Sequence, residues 1–203
     1  MIEKGKHRPV EEGWYKNLIL IDADFLEQVV FDFVVNFERM LGRPLSKADL
    51  CHWLDCVALD SGIRQGEAGS SEEIQVVFLH SKEKKELRLF SPSCYETELN
   101  GKAFADSVGE FILQSFPVES MISNADFYVQ AFEAAVASQK VERVMLVADL
   151  DAYGDALLKK AVEVEDKEVV VFTMRPLQGG GYTQEILGYS LMSALGIRSE
   201  ELG

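Results

Sequence analysis

Asn17-Leu-Ile-Leu-Ile-Asp22-Ala-Asp24 is the stretch on which the fold turns. Its apolar run does not alternate with polar residues, so it reads as a strand buried on both faces, as in the middle of a parallel sheet. A helix is expected directly after it. Leu26, Val29, Val30, Phe33, Val34, Phe37, Met40 and Leu41 fall at helical spacing, and Gln28, Asp32 and Arg39 mark the other face. Gly42, Arg43 and Pro44 should end that helix.

Further buried strands are expected at Ile74–Leu79, Arg143–Val147 and Glu168–Phe172. Ser46-Lys-Ala-Asp49 should open a helix with Leu50, Trp53, Leu54 and Val57 inward. Helices are also predicted over Lys102–Phe116 and Asp126–Ser138, from about Tyr153, and from a Thr183 cap to Leu195. Glu86–Phe90 alternates, as a hairpin partner or edge strand would. Strands that alternate with helices predict an α/β fold: a parallel, doubly wound sheet with helices on both faces. The expected organisation is a mobile arm over 1–14 and one α/β domain over 15–203, with 60–102 as an insertion near the site.

Composition narrows the function classes. A length of 203 residues with 47% hydrophobic content suits one well-cored domain. No apolar run is long enough to span a membrane, and Met1–Gly13 has no apolar signal core, so a cytoplasmic protein is expected. Cys51, Cys56 and Cys94 form no CxxC pair and no zinc-type spacing, so reduced thiols are expected. The formal charge of −14 opposes generic nucleic-acid binding, because phosphates are repelled without a local basic groove.

The candidate site is acidic. Two strands end in Asp-x-Asp, Asp22/Asp24 and Asp149/Asp151. In open α/β sheets ligands bind beyond the carboxyl ends of the strands. If the two strands are neighbours, four carboxylates meet there, and Asp126 at a helix start can join them. Packed carboxylates need a proton or a cation, and Mg²⁺ or Mn²⁺ suits oxygen donors. Such a metal site serves phosphodiester hydrolysis. Each Asp is also a good helix N-cap, a purely structural role. Lys102, Arg175, Lys159 and Lys160 are candidate phosphate contacts, although solvated helix faces account for the two adjacent lysines equally well.

These residues resemble the NYN branch of the PIN-like ribonuclease fold. Leu18-Ile-Leu-Ile-Asp22-Ala-Asp24 is similar to its first strand and leading acid. Asn124-Ala-Asp126-Phe-Tyr-Val-Gln-Ala-Phe132 is similar to its middle acid and helix. Val144-Met-Leu-Val-Ala-Asp149-Leu-Asp151-Ala-Tyr153 is similar to its strand and paired-acid turn. The resemblance implies a PIN/NYN-like sheet, Mg²⁺- or Mn²⁺-dependent RNA cleavage, metal ligands at Asp22, Asp126, Asp149 and Asp151, and an auxiliary acid at Asp24. Phe25 stands where the family often has Asn, Val147-Ala148 where it has Ser-Gly, and Ser123-Asn124 where a Lys is usual.

Two other readings stand beside it. A haloacid-dehalogenase-like phosphohydrolase would use Asp22 as nucleophile, Asp24 as acid/base, Ser81 after the second strand, and Asp149 and Asp151 for Mg²⁺. A catalytically silent interaction protein would use the acidic surface for solubility or a basic partner. The apolar face of the 25–41 helix can feed a homodimer interface.

Overall fold

The computed structural model describes residues 13–64, 71–119 and 121–202. The expected arm over 1–14 lies almost wholly outside these residues. Strand β1, Asn17–Asp22, is buried at all six positions. It lies at the centre of a seven-stranded sheet, which explains why its sequence lacks alternation. The flanking strands are β3, Glu72–Ser81, and β7, Arg143–Val147, both parallel to β1. The first and third apolar runs are therefore neighbours.

The other elements are β2, Ala48–Asp49; β4, Phe90–Ser91; β5, Lys102–Ala105; β6, Gly109–Val118; β8, Glu168–Thr173; and β9, Thr183–Ile186. The sheet order is β5-β6-β3-β1-β7-β8-β9, and only β5 runs antiparallel to its neighbour. Helices α1, Ala23–Leu41, α2, Leu50–Asp60, and α5, Leu187–Ala194, cover one face. Helices α3, Asn124–Ala137, and α4, Leu150–Val162, cover the other. Ile19 and Ile21 of β1 enter the first core and Leu18 and Leu20 the second. The chain is thus a three-layer α/β protein with a mostly parallel sheet. None of its described helices is long and apolar enough to cross a membrane.

Local sequence accounts for the boundaries of α1. Asp22 Oδ1 accepts from Phe25 N at 3.0 Å, a side-chain N-cap. Gly42 closes the helix in the left-handed region, φ 65°, where its N–H donates to Glu38 O at 2.9 Å. Leu26, Val29 and Val30 are buried, whereas Phe31, Val35 and Met40 are exposed. Met40, expected inward, belongs to the outer face.

Four predicted elements differ. The sequence predicts a helix over 102–116, but the chain forms the β5–β6 hairpin. Phe104, Val108 and Phe111 do fit a helix, yet Asp106 Oδ1 accepts from Val108 N at 2.8 Å and Gly109 N at 3.3 Å, locking a turn between them. Phe104 then stacks on its cross-strand partner Phe111, with ring centroids 4.6 Å apart. Thr183 does not cap the last helix; it opens β9, which pairs its backbone with β8 before α5 begins. Asp49, not Ser46, caps α2, accepting from His52 N at 3.0 Å. Within 60–102, β3 is integral to the sheet. The expected strand over 86–90 is reduced to Phe90–Ser91 beside β2 and an isolated bridge from Glu86 to Cys94.

The hairpin turn carries an unusual acid pair. Burial and the adjacent Asp106 carboxylate push Asp55 of α2 up to about 7, from an ordinary 3.8. Two ionised carboxylates offer no donor to each other, and Asp55 Oδ1 is buried without a partner; one shared proton satisfies both. Between these two values the folded chain holds a proton that the unfolded chain has released, so stability falls as pH rises through that window. Asp55→Asn should abolish this dependence. The wild-type minus variant difference in urea stability should fall by about 1 kcal/mol from pH 4 to pH 8, discounted for partial exposure. A pH-independent difference would exclude the shared proton.

Candidate functional site at the carboxyl ends of the central strands

The crevice lies where β1, β3 and β7 end side by side. Chain connections leave β1 in one direction toward β3 and β6 and return to β7 on its other side, which makes this the topological switch point. Asp22 ends β1, Ser81 ends β3, and Asp149 follows β7.

Asp22 is 6% exposed. Its Oδ1 caps α1, and its Oδ2 accepts from the Tyr153 hydroxyl at 2.6 Å. Burial raises its carboxyl above the ordinary range. The Tyr153 and Phe25 hydrogen bonds oppose the rise, and the charges of Asp24 and Asp149 add to it. Tyr153 reaches Asp22 from the first turn of α4 because its backbone leaves helical geometry, φ −139° and ψ 18°. Its oxygen also accepts from Asp149 N at 3.3 Å. One tyrosine therefore bridges the two Asp-x-Asp segments, and burial pushes its own hydroxyl far above the ordinary tyrosine range.

Asp24 points to the opposite side of the crevice. Ser81 donates to it from its hydroxyl and, at 3.3 Å, from its backbone N–H. Asn124 Nδ2 donates to the same Oδ2 at 3.0 Å, and Lys84 Nζ lies 3.2 Å from Oδ1. Asn124 also donates to Ser81 Oγ at 3.2 Å. The starts of α1 and α3 and the end of β3 are thereby joined at one carboxylate.

Asp149 stays at the crevice, while the other expected acids stand apart. Asp149 Oδ1 caps α4 by accepting from Ala152 N at 3.0 Å. Asp126 is exposed and closes a reciprocal cap with Ser123, accepting from Ser123 Oγ at 2.7 Å. Asp151 is also exposed and pairs with Arg175 at 2.9 Å. Lys102 begins the edge strand β5, three strands from β1. The structure therefore brings Asp22, Asp24 and Asp149 to the crevice, and leaves Asp126, Asp151 and Lys102 outside it. Among the described residues, no group of three or more His, Cys, Asp and Glu side chains is arranged to hold a metal ion.

Several site residues carry no periodic signal in the sequence. Tyr95 opens a π-helical turn, Tyr95–Leu99, and stacks on His80 with ring centroids 3.8 Å apart. It is 3% exposed and its hydroxyl has no hydrogen-bond partner. Burial, then the charges of Glu27, Asp24 and Asp22, hold that hydroxyl protonated. Burial pushes the His80 imidazole down, keeping it neutral, and its Nδ1 lies 3.0 Å from Ser81 O. Asn124 could be read from the stretch that suggested Asp126: it lies two residues earlier, on the turn facing the sheet.

No curated protein and no solved structure matches the chain. A family model matches residues 11–202, and the protein belongs to that family, a family of unknown function (DUF6621).

Proposed function

We propose that the protein is a PIN/NYN-like domain that hydrolyses phosphodiester bonds, those of RNA, at the crevice between β1 and β7, with one Mg²⁺ or Mn²⁺ held by Asp22 and Asp149. The observation that carries this reading is the buried Asp22 carboxyl, raised by desolvation and further by the charges of Asp24 and Asp149. A cation relieves that repulsion, and both residues offer hard oxygen donors. Mg²⁺ commonly takes only one or two protein carboxylates and completes its shell with water and substrate oxygens. Asp126 and Asp151 do not fit as ligands, being exposed and engaged elsewhere. When bound, the ion would stabilise charge developing on the phosphoryl oxygens. Tyr153 would hold Asp22 in place, and Lys84 would offer the phosphate a nearby positive charge. A homodimer, if formed, has the exposed Phe31 and Val35 of α1 available.

A catalytically silent interaction protein on the same fold is the second reading. It is favoured by the engagement of Asp22, Asp126, Asp149 and Asp151 in caps or an ion pair.

Mn²⁺ calorimetry together with a single-stranded RNA cleavage assay separates the two. Asp22→Asn and Asp149→Asn retain good N-caps and should fold. Each should weaken Mn²⁺ by about tenfold or more and abolish cleavage. No Mn²⁺ heat and no cleavage by the native chain would establish the silent reading.

A further inference from the structure

The outer face of α1 carries apolar side chains that neither core takes up: Phe31 is 52% exposed and Val35 48%. We propose that this face is the contact with a second copy of the chain, in which two α1 helices pack antiparallel about a two-fold axis between Val35 and Asn36. The contact is independent of the hydrolase reading, because no crevice residue takes part in it.

Helical geometry selects the residues. Gln28, Phe31, Asp32, Val35 and Arg39 fall within about 100° of arc on α1, and all five are exposed. Phe31 and Val35 form the apolar edge of this strip, and Asp32 and Arg39 the charged edge. Neither charge has an opposite charge three or four residues away, the spacing at which helix side chains meet. Asp32 and Arg39 are themselves two turns apart, about 10 Å along the axis, too far to pair within one chain. Asp32 accepts only from the neutral Gln28, at 3.2 Å, and Arg39 has no ion pair or hydrogen bond among the described residues. Glu27 and Glu38, further round the helix, are engaged by the backbone N–H groups of Arg88 and Leu45.

A second copy supplies what the strip lacks. In a two-fold contact each residue pair forms twice, once from either side. Antiparallel helices centred between Val35 and Asn36 set Asp32 of each copy beside Arg39 of the other. Val35 then lies beside its own symmetry mate, with Phe31 to either side. A parallel pair would set Asp32 against Asp32 and Arg39 against Arg39, so the charges specify the direction. An acidic or a basic partner would satisfy only one of the two. The charges of the strip cancel on a chain that carries −14, so two copies meet here with little local repulsion. One helix pair covers less than the roughly 800 Å² per partner of a standard interface, so the dimer is a weak one, with a micromolar Kd. Because Asp22 caps α1, the antiparallel pair places the two crevices about 40 Å apart along the helices, at opposite ends of the contact.

Sedimentation velocity on the full chain, over about 1–200 μM, tests the contact. The native chain should dimerise reversibly within that range. Val35→Lys sets two ammonium groups against each other at the axis and should leave a monomer. Asp32→Arg and Arg39→Asp each turn both ion pairs into like-charge contacts and should weaken association about tenfold or more. Mixed in equal amounts, these two charge variants should associate as the native chain does, because every charge again meets its opposite. Circular dichroism should be unchanged throughout, since all three positions are exposed. A native chain that stays monomeric up to the highest concentration would overturn the proposal. So would a dimer that survives Val35→Lys or both charge variants, which would put its interface elsewhere. A mixture that associates no better than either charge variant alone would exclude the antiparallel pairing.

Discussion

Asp24→Ala is expected to lower unfolding stability by about 3 kcal/mol, measured by urea denaturation. The Asp24 carboxylate is only 18% exposed and collects the Ser81 hydroxyl, the Ser81 N–H, the Asn124 amide and the Lys84 ammonium. Truncation leaves the Ser81 N–H and the Asn124 amide without their acceptor in a place that water enters poorly. Lys84 is more exposed and returns to solvent, so its share of the loss is small. Asp24→Asn keeps one acceptor oxygen and should lose about half as much. Hydrogen-exchange protection should fall at Ser81 and across the first turn of α3, the segments that the carboxylate joins. A loss below about 1 kcal/mol, accompanied by weaker Mn²⁺ binding, would instead make Asp24 a metal ligand.

That expectation shows where sequence reading reaches and where it stops. The Asp22-x-Asp24 spacing correctly places both acids at the end of a central strand, because an uninterrupted apolar run can hardly lie anywhere but in the buried middle of a parallel sheet. The N-cap reading of Asp22 and Asp149 is likewise legible, since helix starts are local chemistry. The division of labour between Asp22 and Asp24 is not local. It depends on Ser81 and Asn124, 57 and 100 residues away, arriving on one side, and on Tyr153, 131 residues away, arriving on the other. Asn124 and Asp126 both lie at the start of α3, but Asn124 reaches Asp24 whereas Asp126 turns back to Ser123. Tyr95 was illegible for another reason: it belongs to a non-repeating segment held by turns and caps, where neither the helical nor the strand period operates.

Misreading 102–116 as a helix has a physical cause too. Phe104, Val108 and Phe111 happen to fall three and four residues apart, which imitates one face of a helix. The turn chemistry of Asp106-Ser107-Val108-Gly109 was the better guide, for it contains the one residue small enough to begin β6 against β3.

Gly109→Ala should cost about 3 kcal/mol, at the upper end of what overpacking does. Gly109 pairs with Glu72 at the first position of the parallel β3–β6 ladder. A Cβ at this position would stand 2.3 Å from the Glu72 carbonyl oxygen and 3.2 Å from its carbonyl carbon. These are backbone atoms, so no side-chain rotation relieves the contact. The first pairs of the ladder must separate, and hydrogen-exchange protection at Glu72–Ile74 should fall with the stability. Gly109 also donates to Asp106 and accepts from the Asp106 N–H at 3.0 Å, so the displacement disturbs the turn that holds Asp106 beside Asp55. With that neighbour displaced, the Asp55 carboxyl should titrate closer to an ordinary aspartate, and the loss of stability between pH 4 and pH 8 should shrink along with it. An alanine tolerated within about 0.5 kcal/mol, with protection unchanged at Glu72, would show that the two strands do not approach so closely there.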